Sequence, residues 1–390
     1  MSNIRYPTSD ITFSFLLPPF SFYHYLSAMT ILLRIGFLAL LVNTMVSCAY
    51  TPKIRLASGE VDPASITEEF PIRIGGIKQY MMIRGADRNN PILLYIHGGP
   101  GKSEMPLQRI YNSELEKHFV VVTWDQRGAG KTNRILGDVK DFTLKAYLDD
   151  TREVVQYLKQ RFGHEKMFLV GHSWGSLLGL LTVHESPGDF YAYVGIGQIT
   201  GLQQNIVETY RRAKQYATEE NNERILSKLA GMRIDEGDFS DVRLRDILYV
   251  RNYVRRKMPE HNMKMIYPTL VRKSVFSPEY STFDVIRGLI GISGSIDFLK
   301  QNNLSSIDMY KIVRKVEVPF FIFSGVQDAL TDPALTRAYF DYLEAPYKKF
   351  VLFEKSTHHP NYEETERYNS LMIDEVKPVG LAFGNKYQDD

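Results

Sequence analysis

One short segment of this chain limits its fold more than any other, because it joins a strand to a helix through a very sharp turn. The apolar strand Met167–Val170 leads into Gly-His-Ser-Trp-Gly at 171–175, and an apolar helix follows. A residue at the centre of such a turn has a strained backbone, and glycines two positions before and after it leave room for close approach of the main chain. The pattern predicts that Ser173 is an exposed nucleophile.

Near-continuous apolar runs recur on both sides of this turn. Ile92–Ile96, Phe119–Trp124 and Val318–Phe323 are typical of strands that are covered on both faces in a parallel sheet. Ile72–Ile83 is typical of a hairpin around two glycines, and residues 142–162 carry apolar side chains at helical spacing. The alternation predicts an α/β fold with a mostly parallel central sheet flanked by helices.

This alternation stops near residue 197 and resumes near residue 317. Residues 198–316 are charge-rich and helical in pattern, without a comparable buried strand. We therefore expect a core formed by residues 52–197 and 317–390, with a helical cap inserted between two strands. A cap in that position would lie over the active site.

Composition excludes several classes of function. The net charge of the 390 residues is +2, which gives no reason to expect a nucleic-acid partner. Gly130-Lys131-Thr132 resembles a phosphate-binding loop, but Asp125 stands where that motif needs glycine. No motif predicts a metal or an organic cofactor. The expected partner is a small-molecule or short-peptide substrate, and the oligomeric state is left open.

The region before residue 49 has the pattern of a targeting segment. From Met29, a basic residue at Arg34 is followed by the apolar run Ile35–Val42 and by small residues before Cys48, the single cysteine. Met45-Val46-Ser47-Cys48 resembles a bacterial lipoprotein box, in which the cysteine is lipidated. An uncleaved membrane anchor is the alternative. We expect a cell-envelope lipoprotein that contacts the membrane only through this end.

The acid that would serve this nucleophile is expected in a loop after a later strand. Asp328 lies just beyond Val318–Phe323, where it would orient a histidine and stabilise its imidazolium. Asp332 competes for the role. However, Thr331-Asp332-Pro333 is typical of a helix N-cap followed by proline at the first helical position. We therefore predict Asp328 as the acid.

Two adjacent histidines compete for the role of base. His358 is nearer to the end of the strand Phe350–Phe353, whereas His359 precedes a proline and is biased toward extended backbone. We predict His358 as the base, which completes a triad of Ser173, Asp328 and His358 in that chain order.

Backbone N–H groups near the nucleophile would stabilise negative charge on the reacting oxygen. The loop His97–Gly101 (His-Gly-Gly-Pro-Gly) follows the strand that ends at Ile96, and Trp174 begins the helix after the nucleophile. We assign the oxyanion hole to the N–H groups of Gly99 and Trp174. His97 is expected to hold the loop in shape. The loop from residue 125 to 130 is expected to brace it through Asp125 and Arg127.

Taken together, these motifs resemble the prolyl iminopeptidase-like branch of the α/β hydrolases. The matching segments are His97–Gly101, Asp125–Gly130, Gly171–Ser176 and the late Glu-Lys-Ser-x-His-x-Pro run that contains His358. The resemblance implies the α/β-hydrolase fold, no cofactor, His358 as base, and release of an N-terminal residue from small peptides through an acyl-enzyme.

The resemblance weakens in the predicted cap. Family members recognise the substrate's free amino group through cap carboxylates, and Glu208, on a predicted helix from 205 to 216, is a candidate for that role. A solvated surface charge is the other reading of Glu208. Two alternative functions remain open: an esterase or lactonase with the same triad, and a surface-anchored binding protein that has lost catalysis.

Overall fold

The computed structural model describes residues 49–133, 142–232, 234, 244–257, 263–281, 283–288 and 307–386. Ala49–Asp390 form one compact unit. The predicted targeting segment, including Cys48, lies outside the described residues. In the part of the chain that is described, no helix is both long and apolar enough to span a membrane.

A central sheet of eight strands forms the framework. Its strands are β1 (Ile66–Ile74), β2 (Ile77–Gly85), β3 (Ile92–Ile96), β4 (Val120–Asp125), β5 (Met167–His172), β6 (Phe190–Ile196), β7 (Phe320–Gly325) and β8 (Lys348–Phe353). Their spatial order is β1-β2-β4-β3-β5-β6-β7-β8. β2 is antiparallel to both of its neighbours, and every other adjacent pair is parallel. The predicted mostly parallel sheet is confirmed.

Helices follow most strands and cover the sheet. They are α1 (Met105–Asn112), α2 (Leu144–Phe162), α3 (Trp174–Glu185), α4 (Leu202–Glu219), α5 (Glu223–Ala230), α6 (Leu244–Lys257), α7 (Met263–Val275), α8 (Met309–Ile312), α9 (Pro333–Tyr342), α10 (Pro360–Glu363), α11 (Thr365–Leu371) and α12 (Lys377–Lys386). A π-helical turn, Met372–Val376, joins the last two.

Successive residues of the central strands enter two different cores, one on each face of the sheet. In β3, Leu94 packs in the core that contains Leu177 of α3, whereas Leu93 packs in the core that contains Phe168. All residues of β3, β4, β5 and β7 are buried. This explains why these strands are apolar throughout, as expected for a sheet covered on both faces. The rigid sheet fixes the positions of the loops at its carboxyl edge.

Between β6 and β7 the chain leaves the sheet. The described residues of this region, called here the helical segment (198–316), form α4 to α8 and a helical stretch at 283–288, with no strand. Part of it has a small apolar core of its own that includes Tyr210, Val250 and Tyr253.

Candidate active site

Ser173 lies at the sharp turn between β5 and α3. Its backbone has a φ of 53° and a ψ of −116°, and its side chain is partly exposed. A side chain at position 171 would place its Cβ 2.3 Å from the carbonyl oxygen of Gly175, and one at position 175 would lie 2.1 Å from that of Ile96. The close main-chain approach predicted for both glycines is therefore present. The strained turn presents a serine hydroxyl at the carboxyl edge of the sheet.

Asp328 and His358 come together on the loops after β7 and β8. The Nδ1 atom of His358 lies 2.8 Å from Oδ2 of Asp328, whose side chain is completely buried. The carboxylate also accepts hydrogen bonds from the N–H groups of Leu330 and Thr331 and from the Thr331 hydroxyl. Burial acts to raise the pKa of Asp328, but the facing imidazole and these hydrogen bonds outweigh it and hold the pKa below its usual range. Asp328 is therefore an ionised acceptor for the Nδ1–H of His358.

The two competing residues have other partners. Asp332 caps α9, accepting hydrogen bonds from the N–H groups of Ala334 and Leu335 at 2.8 and 3.1 Å, as its sequence context predicted. His359 is buried, and Lys102 lies 3.4 Å from its Nε2 atom. Burial, together with the charge of Lys102 and the neighbouring histidines, holds the pKa of His359 well below its usual range.

The end of β6 connects the serine to the histidine. Ser173 donates its N–H to the carbonyl of Ile196 at 2.8 Å, and a Cβ at the next residue, Gly197, would lie 2.8 Å from Cε1 of His358. Gly197 has a φ of +54°, so both backbone and space require glycine. Ser173 Oγ makes no hydrogen bond to any described residue. Nucleophile–base bonds are commonly loose in free enzymes and tighten when substrate binds.

The glycine-rich loop after β3 packs directly against the turn that carries the serine. A Cβ at Gly98 would lie 3.2 Å from the Cβ of Ser173, and Gly99 has a φ of 128°. Trp174 is the first residue of α3, whose N-terminus favours negative charge. The two residues predicted to form the oxyanion hole thus lie on the two chain segments next to the serine.

Gln126 is the residue that connects these two segments. Its side-chain amide donates to the carbonyl of His97 at 2.9 Å and accepts from the indole N–H of Trp174 at 3.1 Å. Its main-chain N–H donates to Nε2 of His97, so Nδ1 of that ring carries the proton and donates to the carbonyl of Gly98. Burial lowers the pKa of His97, consistent with a neutral ring that holds the loop in shape.

The structure shows a contact with the glycine-rich loop region for Asp125 and an ion pair elsewhere for Arg127. Asp125 accepts a hydrogen bond from Ser103, at the far end of the glycine-rich loop. Arg127 instead forms a two-fold ion pair, at 2.7 Å in both bonds, with Asp150 of α2. This ion pair connects the turn after β4 to α2. The sequence motif contained Gln126, but nothing in the pattern indicated its role.

A buried polar cluster next to the serine was not predicted. It contains Glu104, His172 and His359, with one ligand-type atom of each within 4.8 Å of the others. Nδ1 of His172 lies 2.9 Å from Glu104, which also accepts from the hydroxyls of Tyr95 and Tyr362. A cation would have to displace these hydrogen bonds. The cluster is therefore explained by its own contacts.

Glu208 lies on α4, on the surface of the helical segment. Its carboxylate is 3.5 and 3.9 Å from the guanidinium groups of Arg211 and Arg212. The next residue, Thr209, donates its hydroxyl to the carbonyl of Ala329 at 3.2 Å, so this turn of α4 packs near the loop of the predicted acid.

Comparison with known proteins gives consistent matches. Residues 91–365 match the family model described as alpha/beta hydrolase fold. The probable aminopeptidase YbaC of Bacillus subtilis is 31% identical over 304 residues, covering 77% of this chain and 93% of that protein. A proline iminopeptidase of Saccharolobus solfataricus is 23% identical over 324 residues, covering 81% and 95%.

Solved structures agree in fold. The crystal structure of a proline iminopeptidase from Mycobacterium smegmatis superposes with a TM-score of 0.57 at 16% identity, covering 81% of this chain and 99% of that one. This likeness shows the fold. The family model and the aminopeptidase relatives show that the chain belongs to the α/β hydrolases, in their prolyl iminopeptidase-like branch.

Proposed function

We propose that this hydrolase is a serine aminopeptidase that releases N-terminal residues from small peptides through an acyl-enzyme. The observation that carries the serine mechanism is the 2.8 Å contact between His358 and buried Asp328, on the same sheet edge as the strained Ser173 turn. The family match supports hydrolysis, and the aminopeptidase names of several relatives support the peptide substrate.

The contacts suggest how the proton moves. Because Asp328 accepts the Nδ1–H of neutral His358, the Nε2 atom of that ring has a lone pair. We expect Nε2 to accept the hydroxyl proton of Ser173 as its Oγ atom attacks the substrate carbonyl. The same nitrogen then donates that proton to the leaving amine, and Asp328 stabilises the imidazolium meanwhile without taking its proton.

The negative charge on the tetrahedral intermediate would form next to two chain segments, the glycine-rich loop after β3 and the start of α3. The N–H groups of Gly99 and Trp174 are the proposed donors, and Gln126 holds the two segments together. Water then attacks the acyl-enzyme with His358 again as base. Losing one oxyanion donor would cost about 3 kcal/mol of transition-state stabilisation.

Recognition of a free amino terminus requires a negative or acceptor group near the substrate's first residue. We propose Glu208 for this role, since α4 packs near the loop of Asp328. Two arginines already face Glu208, so the substrate ammonium would compete with them. Glu208→Gln should raise KM for an aminoacyl arylamide and leave KM for its N-acetylated analogue unchanged. Equal KM changes for both substrates would exclude this role.

A hydrolysis panel tests the substrate class directly. Purified protein would be assayed with proline and alanine arylamides, their N-blocked forms, and short acyl esters. We expect the highest kcat/KM for an arylamide with a free amino terminus. Preference for the esters would instead support an esterase or lactonase. No turnover of any substrate by folded protein would favour a catalytically silent binding protein.

We also propose that Cys48 is lipidated and anchors the protein to a bacterial cell envelope. The support is the sequence pattern before that cysteine, which includes the apolar run Ile35–Val42. Mass spectrometry of the mature N-terminus after expression in a bacterium should show a diacylglyceryl group on Cys48. An unmodified cysteine that is still preceded by the apolar run would contradict the proposal.

A further inference from the structure

The buried cluster behind Ser173 contains ionisable groups that the proposed mechanism does not use, and two of them form a close pair. Glu104 follows the glycine-rich loop, and His172 immediately precedes the serine. Their side chains are 1% and 2% exposed and are separated by 2.9 Å. Groups buried this completely are costly to desolvate unless hydrogen bonds compensate, so each of their contacts is informative.

The position of one hydrogen on His172 follows from its neighbour. Its Nε2 atom lies 3.0 Å from the main-chain carbonyl of His358. A carbonyl oxygen can only accept, so Nε2 carries a hydrogen and donates it. The imidazole therefore holds, through the main chain, the residue that we propose as the base.

The donors around Glu104 are equally well determined. Gln108 donates to the hydroxyl of Tyr362, and Asn361 donates to that of Tyr95. Each hydroxyl is therefore free to donate its own hydrogen to Oε2 of Glu104, at 3.1 and 2.6 Å. Glu104 is thus placed to accept hydrogens as a carboxylate.

One question is left, namely whether the hydrogen between Glu104 and Nδ1 of His172 belongs to the carboxyl group or to the ring. Burial would raise the pKa of Glu104, but the facing imidazole, its hydrogen bond and nearby Lys102 hold that pKa well below its usual range. The carboxylate is therefore ionised. A carboxylate therefore faces Nδ1 of His172 at 2.9 Å and a carbonyl faces its Nε2 at 3.0 Å, so the ring is held by a hydrogen bond at each nitrogen.

This pair connects three loops that the reaction needs. Glu104 lies at the end of the loop that carries Gly99, His172 lies on the serine turn, and the carbonyl of His358 lies on the loop of the base. We propose that Glu104 and His172 are positioning residues, which hold the base and the oxyanion loop in register with Ser173. The inference rests on the proposed serine mechanism.

The test measures how fast a fluorophosphonate probe labels Ser173, together with kcat and KM for a substrate that the wild type cleaves. Glu104→Ala should lower the labelling rate and kcat by about 10- to 100-fold, because small misplacements of reacting groups have effects of this size. KM should change little. Glu104→Gln should recover most of the rate, since its amide can donate to a neutral His172 that still donates to His358.

A double variant guards against a simple failure to fold. Glu104→Gln with His172→Phe leaves no buried charge without a partner, so the protein should fold, yet it removes the donor to His358. We expect slow labelling similar to that of Glu104→Ala. The matched control is Glu116→Gln. It removes the acidic charge of another buried ion pair, which Glu116 forms with Arg84 away from the site. It should lower the melting temperature and leave the labelling rate unchanged.

Two results would overturn the inference and leave the proposed function intact. A wild-type labelling rate in the folded double variant would show that the pair does not position the base. A loss of rate in Glu116→Gln as large as that in Glu104→Ala would show that general destabilisation explains the effect. Failure of the wild type itself to be labelled at Ser173 would overturn the proposed function together with the inference. The wild-type result therefore separates failure of the proposed function from failure of the inference alone.

Discussion

The helix that follows the serine turn and the first helix of the helical segment differ in how many of their residues are buried. In α3, which follows the serine turn, ten of the 12 residues are buried. In α4, the first helix of the helical segment, only four of 18 are buried: Asn205, Tyr210, Ala213 and Ala217. Chemistry requires fixed atoms, whereas substrate selection can use an exposed and variable surface. We therefore expect substitutions near the serine turn to reduce activity strongly, and substitutions on the surface of the helical segment to reduce it much less.

Removal of the nucleophile should have the largest effect on activity. Ser173→Ala should reduce kcat by roughly 10⁶-fold, the size seen when the nucleophile of a triad is deleted. The melting temperature should stay nearly unchanged, because the partly exposed side chain makes no hydrogen bond to any described residue. A large fall in melting temperature with residual activity intact would indicate a structural serine instead.

Removal of the carboxylate should have the next largest effect. Asp328→Asn should lower kcat by roughly 10⁴-fold, because an amide facing Nδ1 favours the wrong tautomer of His358. The control is Asp332→Asn, which retains a good N-cap residue on α9 and should change kcat by less than about three-fold. Steady-state kinetics on both variants would decide whether Asp328 or its neighbour serves as the acid.

The same carboxylate links stability to pH. Its pKa in the folded protein lies below the unfolded value of about 3.9, so the ionised group stabilises the fold above about pH 4. That contribution is lost as the pH falls through the folded pKa. The difference in the free energy of unfolding between wild type and Asp328→Asn should therefore shrink from pH 7 to pH 3, as measured by urea unfolding. A constant difference would contradict a lowered pKa of Asp328 in the folded protein.

Crowding the histidine without altering any reacting group should have a smaller effect. Gly197→Ala places a methyl group 2.8 Å from His358 Cε1 at a φ of +54°, so the ring must shift. We expect a loss of about 10²-fold in kcat. Gly188→Ala is the control, because a Cβ there meets nothing within 4 Å. Equal kinetics for the two variants would break the argument that β6 positions the base.

A contact between the helical segment and the core should show the smallest effect. Tyr280 donates its hydroxyl to Ser103 and lies 3.1 Å from Asp125. Tyr280→Phe should cost about 1 kcal/mol of stability and change kcat less than about five-fold. Thermal unfolding and steady-state kinetics measure both. A loss of kcat comparable to that of Gly197→Ala would mean that the helical segment controls the chemistry directly.

The sequence predicted the parts of this molecule that depend on local pattern. The apolar strands, the glycines at 171 and 175 and the N-cap role of Asp332 follow from neighbouring residues, and the structure agrees with each. The strand boundaries agree less well: β5 and β7 continue two residues beyond their apolar runs, to His172 and Gly325, and β1 begins six residues before the predicted hairpin.

Contacts between distant segments could not be predicted in this way. Gly197 is required because His358, 161 positions later in the chain, packs against it. The Glu104–His172 pair joins residues 68 positions apart, and neither has a distinctive local pattern. The sequence predicts least about the surface of the helical segment, because a charged residue such as Glu208 is compatible both with substrate binding and with simple solvation.

Labelling by a fluorophosphonate probe is the most direct test of the central claim that Ser173 is an activated nucleophile. The folded protein would be treated with the probe, digested, and analysed by mass spectrometry. We predict one modified residue, Ser173, with labelling abolished in Ser173→Ala and strongly slowed in Asp328→Asn. Absence of labelling at Ser173 in folded wild-type protein, or equal labelling of Asp328→Asn, would contradict the account.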